Sequence, residues 1–278
     1  MDDLVTTDWL ARNLGADDIA IVDCSFFMPA DQRDPAAEFL GGHIPGARFL
    51  DIGEVADHDN DAPHMLPLAA AFGKAMAALG IGRDDRIIVY DNSPLRTAAR
   101  GWFMHRQFGA ERVAILDGGL QKWRREGRAL ETGPAISRMA RFDARAGNDV
   151  VAKSDVASQN ELPVVDARGR PRFEGSEADP RPQIAAGHIP GSRNLPFAAL
   201  YRDDGTFKSE AALRAEFDAA GVDPHAPFIA SCGSGVTANS VIFAARLLGG
   251  RGQKLYDGSW SEWGADAATP KELGPAKR

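Results

Sequence analysis

The sequence predicts an α/β protein of two similar units in tandem, each a central, mostly parallel sheet flanked by helices. Three observations carry this. The 278 residues repeat at a long period, roughly 140 residues. Short apolar runs lack the alternation of half-exposed strands. Between those runs lie stretches with apolar residues at helical spacing, so strand and helix alternate in both halves.

In chain order, Ile19-Ala-Ile-Val-Asp23 matches Leu162-Pro-Val-Val-Asp166, and Gly42-His-Ile-Pro-Gly-Ala47 matches Gly187-His-Ile-Pro-Gly-Ser192. Ile87-Ile-Val-Tyr-Asp91 then corresponds to Phe228-Ile-Ala-Ser-Cys232, and Leu116-Asp-Gly-Gly-Leu-Gln-Lys-Trp123 to Tyr256-Asp-Gly-Ser-Trp-Ser-Glu-Trp263. The runs Ile87 to Tyr90, Val164 to Val165 and Phe228 to Ala230 read as buried strands. Leu66 to Leu79, Thr97 to Phe108 and Val236 to Leu248 read as helices, the last with Val241, Ile242, Ala245 and Leu248 on one side. The domains are thus 1–128 and 149–268. Residues 129–148, without strong periodicity, read as a linker, and 269–278 as a loose tail.

Composition narrows the function. Hydrophobic residues at 44% and charged ones at 26% are globular averages and exclude a disordered or fibrous chain. A net charge of −7 argues against nucleic-acid or anionic-membrane partners, which select basic surfaces. Two cysteines, Cys24 and Cys232, cannot staple a secreted scaffold and suit a reducing compartment. With no basic leader and no apolar run near the ~20 residues of a membrane span, the cytoplasm is the expected location. The six histidines have no paired helical spacing, so neither a metal nor any other cofactor is expected.

The halves differ most at Cys232. It ends a strand and begins Cys232-Gly233-Ser234-Gly235-Val236-Thr237-Ala238, which leads into a helix. Two glycines let the backbone curl into a nest of N–H groups, and the helix N-terminus adds partial positive charge. A sulfur in that bowl would have a lowered pKa and react as thiolate. The same residues also read as a structural cysteine in a tight turn. The first half has Asp91-Asn92-Ser93-Pro94-Leu95-Arg96 there, without sulfur or glycine, and should be inert. Cys24 has no nest and reads as a small buried hydrophobe. His43 and His188 occur in both halves, which points to a structural loop role, with Asp23 and Asp166 holding the same loops.

The paired Gly-His-Ile-Pro-Gly segments, the Asp-Gly-(Gly/Ser) plus Trp elements and the Cys-Gly-Ser-Gly-Val-Thr-Ala loop resemble the tandem-domain sulfurtransferases, the rhodanese family. The resemblance covers roughly residues 4 to 268. It implies two rhodanese-like domains, the second carrying the catalytic Cys232, and sulfur moved through a persulfide to a thiol such as thioredoxin, or to cyanide. Relatives that use thiosulfate carry cationic side chains after the cysteine; neutral Gly233 and Ser234 point instead to 3-mercaptopyruvate as the small-molecule donor.

By the same resemblance, Arg172 and Arg181 bind the donor's carboxylate, a role planar guanidinium groups suit. Arg170 competes for the first assignment because Pro171 interrupts the family's Gly-Arg-Phe pattern. On the residues alone, either arginine also reads as a solvated loop charge. Ser234 is placed to donate to the sulfur or the departing enolate, with Gly233, Gly235, Val236 and Thr237 lining the bowl. The resemblance further implies a triad in which His64 meets Ser234. Its aspartate is missing, since Asp51-Ile52-Gly53 stands where the family reads Asp-Ile-Asp; Asp51, Glu54 and Asp57 are the substitutes at hand. Three other readings compete: a thiosulfate enzyme, a cysteine phosphatase, which would need an arginine where Ala238 stands, and a non-catalytic persulfide carrier.

Overall fold

The computed structural model describes residues 1–135, 138–158 and 162–277 and divides into two units. Unit 1 contains β1 (Leu4–Val5), α1 (Thr7–Asn13), β2 (Ile19–Asp23), α2 (Pro35–Gly41), β3 (Ala47–Phe49), α3 (Ala69–Ala78), β4 (Arg86–Tyr90), α4 (Ala98–Gln107), β5 (Val113–Leu116) and α5 (Gly119–Arg125). Unit 2 contains β6 (Val150–Val151), α6 (Lys153–Ala157), β7 (Val164–Asp166), α7 (Arg170–Glu174), β8 (Arg193–Asn194), α8 (Glu210–Ala220), β9 (Ile229–Ser231), α9 (Ala238–Leu247), β10 (Lys254–Tyr256) and α10 (Ser259–Trp263).

The sheets share one topology. Their strand orders are β1-β5-β4-β2-β3 and β6-β10-β9-β7-β8, and every pairing is parallel. Parallel strands carry helices on both faces, which is why β2 and β5 are buried at every residue and their sequences do not alternate. The central strands β4 and β9 each run into a helix that is buried nearly all round. In α9 every residue from Ala238 to Ala245 is buried, and Phe243 is fully so. Each such large apolar side chain contributes about 1.5–3 kcal/mol. α9 is therefore a rigid base for the loop that precedes it.

His43 and His188 hold equivalent turns. His43 exchanges backbone hydrogen bonds with Glu131, both at 2.9 Å, and its Nδ1 donates to Phe39 O at 2.8 Å while the ring stacks on Phe39 at 3.9 Å. His188 does the same with Glu272 at 2.9 Å, Phe173 O at 2.8 Å and the Phe173 ring at 3.8 Å. Asp23 takes the Ser25 amide at 2.9 Å, and Asp166 grips Arg168.

Two expectations need correction. The stretch read as a linker packs on unit 1 among the described residues. Phe142 is 5% exposed and meets Phe72 edge-on at 5.4 Å, Arg138 Nε donates to Gly80 O at 3.1 Å, and Gly147 N–H to Gln107 O at 2.7 Å. Ile136 and Ser137 of that stretch lie outside the described residues. The described part of the tail read as loose, residues 269–277, is tied down through Glu272, whose Oε2 accepts from Gly191 N–H at 2.9 Å, and through Gly274, which donates to Glu174 O at 2.9 Å, while Arg278 lies outside the described residues. Both straps bond residue by residue to distant loops, and such bonding leaves no periodic trace. The units are also not contiguous: residues 57–65 count with unit 2 and residues 203–207 with unit 1.

Candidate active site

The loop between β9 and α9 in unit 2 gathers the residues singled out from the sequence. Cys232 is 1% exposed at the end of β9. Gly235 stands at φ +73°, and a Cβ there would sit 2.5 Å from both Asp257 O and Asp257 Oδ1. Only glycine fits. Asn239 fastens the loop from below, donating from Nδ2 to Gly235 O at 2.7 Å and Val236 O at 2.9 Å. α10 fastens it from the side: Trp260 N–H donates to Cys232 O at 3.0 Å and Ser261 N–H to Gly233 O at 2.8 Å.

The amides of the bowl divide into two groups. Those of Cys232 and Gly235 donate to Ser259 Oγ, at 3.0 and 3.2 Å. Those of Ser234, Val236 and Thr237 donate to no protein acceptor among the described residues, as befits the open N-terminus of a helix. The sequence pointed to a nest of N–H groups around the sulfur but gave no role to Ser259, which takes two of those amides. A signal existed. Ser259 stands at φ +49° where the first unit has Gly119 at φ +54°, so a strained side chain is kept at a position suited to glycine.

Unit 1 shows what the loop does without sulfur. Asp91 occupies the place of Cys232, since Leu120 N–H donates to Asp91 O at 2.9 Å just as Trp260 donates to Cys232 O. Its carboxyl oxygens turn inward and accept from Ser93 N–H at 2.9 Å and Ala98 N–H at 2.7 Å. The bowl there is filled by its own side chain. Cys24 is fully buried, its Sγ 2.3 Å from where a Cβ on Gly101 would stand, and burial pushes its thiol well above the usual range.

Of four nearby arginines, two face the Cys232 loop. Arg168 is buried, bound to Asp166 Oδ2 at 2.6 Å and stacked over Trp260 at 4.6 Å. Arg170 lines a separate cavity of about 640 Å³ with Phe173, Arg193 and Asp218. Arg172 Nη2 and Arg181 Nη2 lie 3.5 and 3.9 Å from the position a Cβ would take on Gly233, and Arg181 Nη2 donates to Gly233 O at 3.3 Å. Both guanidinium groups share Asp179, a residue passed over in the sequence. Burial raises the Asp179 pKa, but hydrogen bonds from Arg181 and Arg172 prevail and hold it at about 2.

Ser234 Oγ lies 2.9 Å from His64 Nδ1. His64 arrives on a nine-residue loop of unit 2, Asp57 to Met65, closed by Asp57 N–H donating to Met65 O at 2.9 Å and stiffened by turns in which Asp57 Oδ1 takes Asp59 N–H at 3.1 Å and Asn60 Oδ1 takes Ala62 N–H at 2.9 Å. His64 itself is left-handed, at φ +63°. Of the acids considered as its support, Asp51 directs Oδ1 to the amides of Gly53 at 2.9 Å and Glu54 at 3.1 Å, and Asp57 Oδ1 is engaged within its own turn. Beside the loop opens a cavity of about 370 Å³, lined by Asp61, Pro63, Arg181, Ile184, Ser261 and Glu262. Among the described residues no group of three or more His, Cys, Asp or Glu side chains is arranged to hold a metal, and no helix is long and apolar enough to cross a membrane.

The arrangement agrees with what comparison finds. A family model described as a rhodanese-like domain matches residues 6–126 and again 151–266. The chain is 43% identical over 273 residues to 3-mercaptopyruvate sulfurtransferase of Escherichia coli (strain K12), covering 96% of this chain and 97% of that one. It is 36% identical over 271 residues to thiosulfate sulfurtransferase of Bos taurus, covering 94% and 91%. The crystal structure of SseA from Escherichia coli, a 3-mercaptopyruvate sulfotransferase, superposes with a TM-score of 0.85 at 41% identity over 94% of this chain and 100% of that one. With a parallel five-stranded sheet in each half and the family model matched in both, this chain belongs to the rhodanese family.

Proposed function

We propose that the chain is a 3-mercaptopyruvate sulfurtransferase that carries sulfur on Cys232 and releases pyruvate. The observation that bears most weight is the placing of two guanidinium groups beside Gly233, the residue after Cys232, in a loop whose own side chains are neutral. The two Escherichia coli relatives named above, both 3-mercaptopyruvate enzymes and more similar than the bovine thiosulfate enzyme, support the donor.

In the first step Arg172 and Arg181 hold the donor's carboxylate, and the Cys232 thiolate attacks the donor sulfur. A sulfur–sulfur bond forms and the carbon–sulfur bond breaks, its electron pair passing to carbon as the enolate of pyruvate. The proton that leaves the donor's thiol is the one the enolate carbon requires, and the Ser234–His64 pair is the relay between them. The negative persulfide then rests against the amides of Ser234, Val236 and Thr237. In the second step an acceptor thiol, such as that of thioredoxin, or cyanide takes the outer sulfur and regenerates the Cys232 thiolate. Two unpaired cysteines fit a reducing cytoplasm, where such thiols abound.

The test is a rapid-mixing experiment with 3-mercaptopyruvate and no acceptor. One equivalent of pyruvate per chain is expected in a burst, and none from Cys232→Ser. A missing burst in the parent overturns the two-step account, and a kcat/KM for thiosulfate above that for 3-mercaptopyruvate overturns the donor.

A further inference from the structure

One buried carboxylate joins the two arginines that face the Cys232 loop. The Asp179 side chain is 1% exposed. Its Oδ2 accepts from Arg172 Nη2 at 2.6 Å and Arg181 Nη2 at 3.1 Å, and its Oδ1 from Arg181 Nε at 2.8 Å and the Arg181 amide at 3.1 Å. The arginines keep 28% and 25% of their side-chain surface open. Two positive charges and one negative charge leave the group a single net positive charge. Water cannot screen a carboxylate so enclosed, so its field reaches whatever anion the guanidinium groups bind.

The side chains of the loop and of the adjoining cavity do not restore the missing positive charge. Gly233 and Ser234 are neutral. In the adjoining cavity Lys153 is paired with Asp266 at 2.7 Å, and Asp61 and Glu262 are acidic. A donor with one carboxylate and a neutral thiol brings one negative charge, and thiosulfate brings two. We propose that Asp179 sets the donor preference of this site, trimming the arginine pair to one net charge so that a monoanionic carboxylate donor is matched and a dianionic donor is not. This rests on the reading of Arg172 and Arg181 as the carboxylate clamp. Asp179 touches no donor atom in this account; it acts through the two guanidinium groups it positions and partly neutralises.

The experiment measures kcat/KM for thiosulfate and 3-mercaptopyruvate side by side in the parent, Asp179→Asn and Asp179→Glu, with Arg172→Ala and Arg181→Ala as companions. Asp179→Asn keeps the size of the side chain and removes its charge. It should raise the thiosulfate-to-mercaptopyruvate ratio by about tenfold, the effect of one added unit charge on the second donor charge. Asp179→Glu should keep the parent ratio. An unchanged ratio in folded Asp179→Asn, or an equal loss with both donors, overturns the proposal, because a scaffold alone has no reason to favour the dianion. Should Asp179→Asn not fold, Asp179→Ser supplies a second neutral variant read in the same way. The clamp reading fails separately, if the arginine variants leave KM for 3-mercaptopyruvate untouched.

Discussion

Ser259 Oγ accepts the backbone N–H of Cys232 at 3.0 Å while Ser259 itself stands at φ +49°. The hydroxyl also takes the Gly235 amide at 3.2 Å and donates to Tyr256 O at 2.8 Å, so one side chain fixes the start and the middle of the cysteine loop. Left-handed backbone costs a residue with a Cβ about 1–2 kcal/mol. That strain persists because two buried amides depend on the oxygen.

Ser259→Ala keeps the strain and orphans both amides. It should lower stability by about 1–3 kcal/mol. Ser259→Gly orphans the same amides but relieves the backbone, so its melting temperature should lie above that of the alanine variant. Calorimetry of the pair decides this. Equal melting temperatures would mean that the left-handed serine stores no strain.

Gly235→Ala should be far more damaging. Its Cβ would lie 2.5 Å from a carbonyl and a carboxylate oxygen of Asp257 at φ +73°, and the carbonyl cannot retreat without moving the backbone that leads into α10. A loss of more than about 3 kcal/mol, or no soluble protein, is expected. Gly191→Ala is the control, since it also has positive φ, +76°, but nothing within 4 Å of the added carbon. Similar stability losses in the two variants would show that backbone conformation, not the Asp257 contact, governs the loop.

Ser234→Ala and His64→Ala should each slow pyruvate release by about 10²–10⁴-fold, the range for a positioned acid or base. Because the two groups bond to each other at 2.9 Å, the double variant should be little worse than either single one. Rate losses that multiply would show that the two groups act independently.

Much of this was legible in the sequence, and the rest was hidden for identifiable reasons. The strands Ile19–Asp23 and Val164–Asp166 announce themselves because strands buried on both faces are continuous apolar runs. Cys232 stood out because its counterpart in the other copy is Asp91. Asp179 and Ser259 escaped notice because their importance lies in one backbone torsion or one shared oxygen, and no period records that. Glu131 and Glu272 were hidden likewise: each pairs across the chain with a single histidine, so their segments read as linker and tail. The motif pointed to His64, but only the fold reveals that residues 57–65 belong with unit 2.

His105 supplies a pH dependence of stability. It is fully buried, and burial drives its pKa from the ordinary 6.5 down to about 4, although its bond to Gly101 O opposes this. The folded protein therefore binds fewer protons than the unfolded chain between those values. Its contribution is complete above pH 6.5 and falls away as the pH drops through 4, to a maximum of about 3 kcal/mol. Denaturant titrations across that range should show a shallower decline in His105→Leu than in the parent. Parallel declines would contradict this assignment.

Intact-mass spectrometry tests the central claim most directly. Parent protein treated with 3-mercaptopyruvate and freed of excess donor should gain the mass of one sulfur atom, located at Cys232 on fragmentation and removed by a thiol acceptor. Cys232→Ser should gain nothing, with Cys24 still present and unmodified. A parent that releases pyruvate yet never carries the extra sulfur, or a serine variant that turns over at the parent rate, would contradict the account.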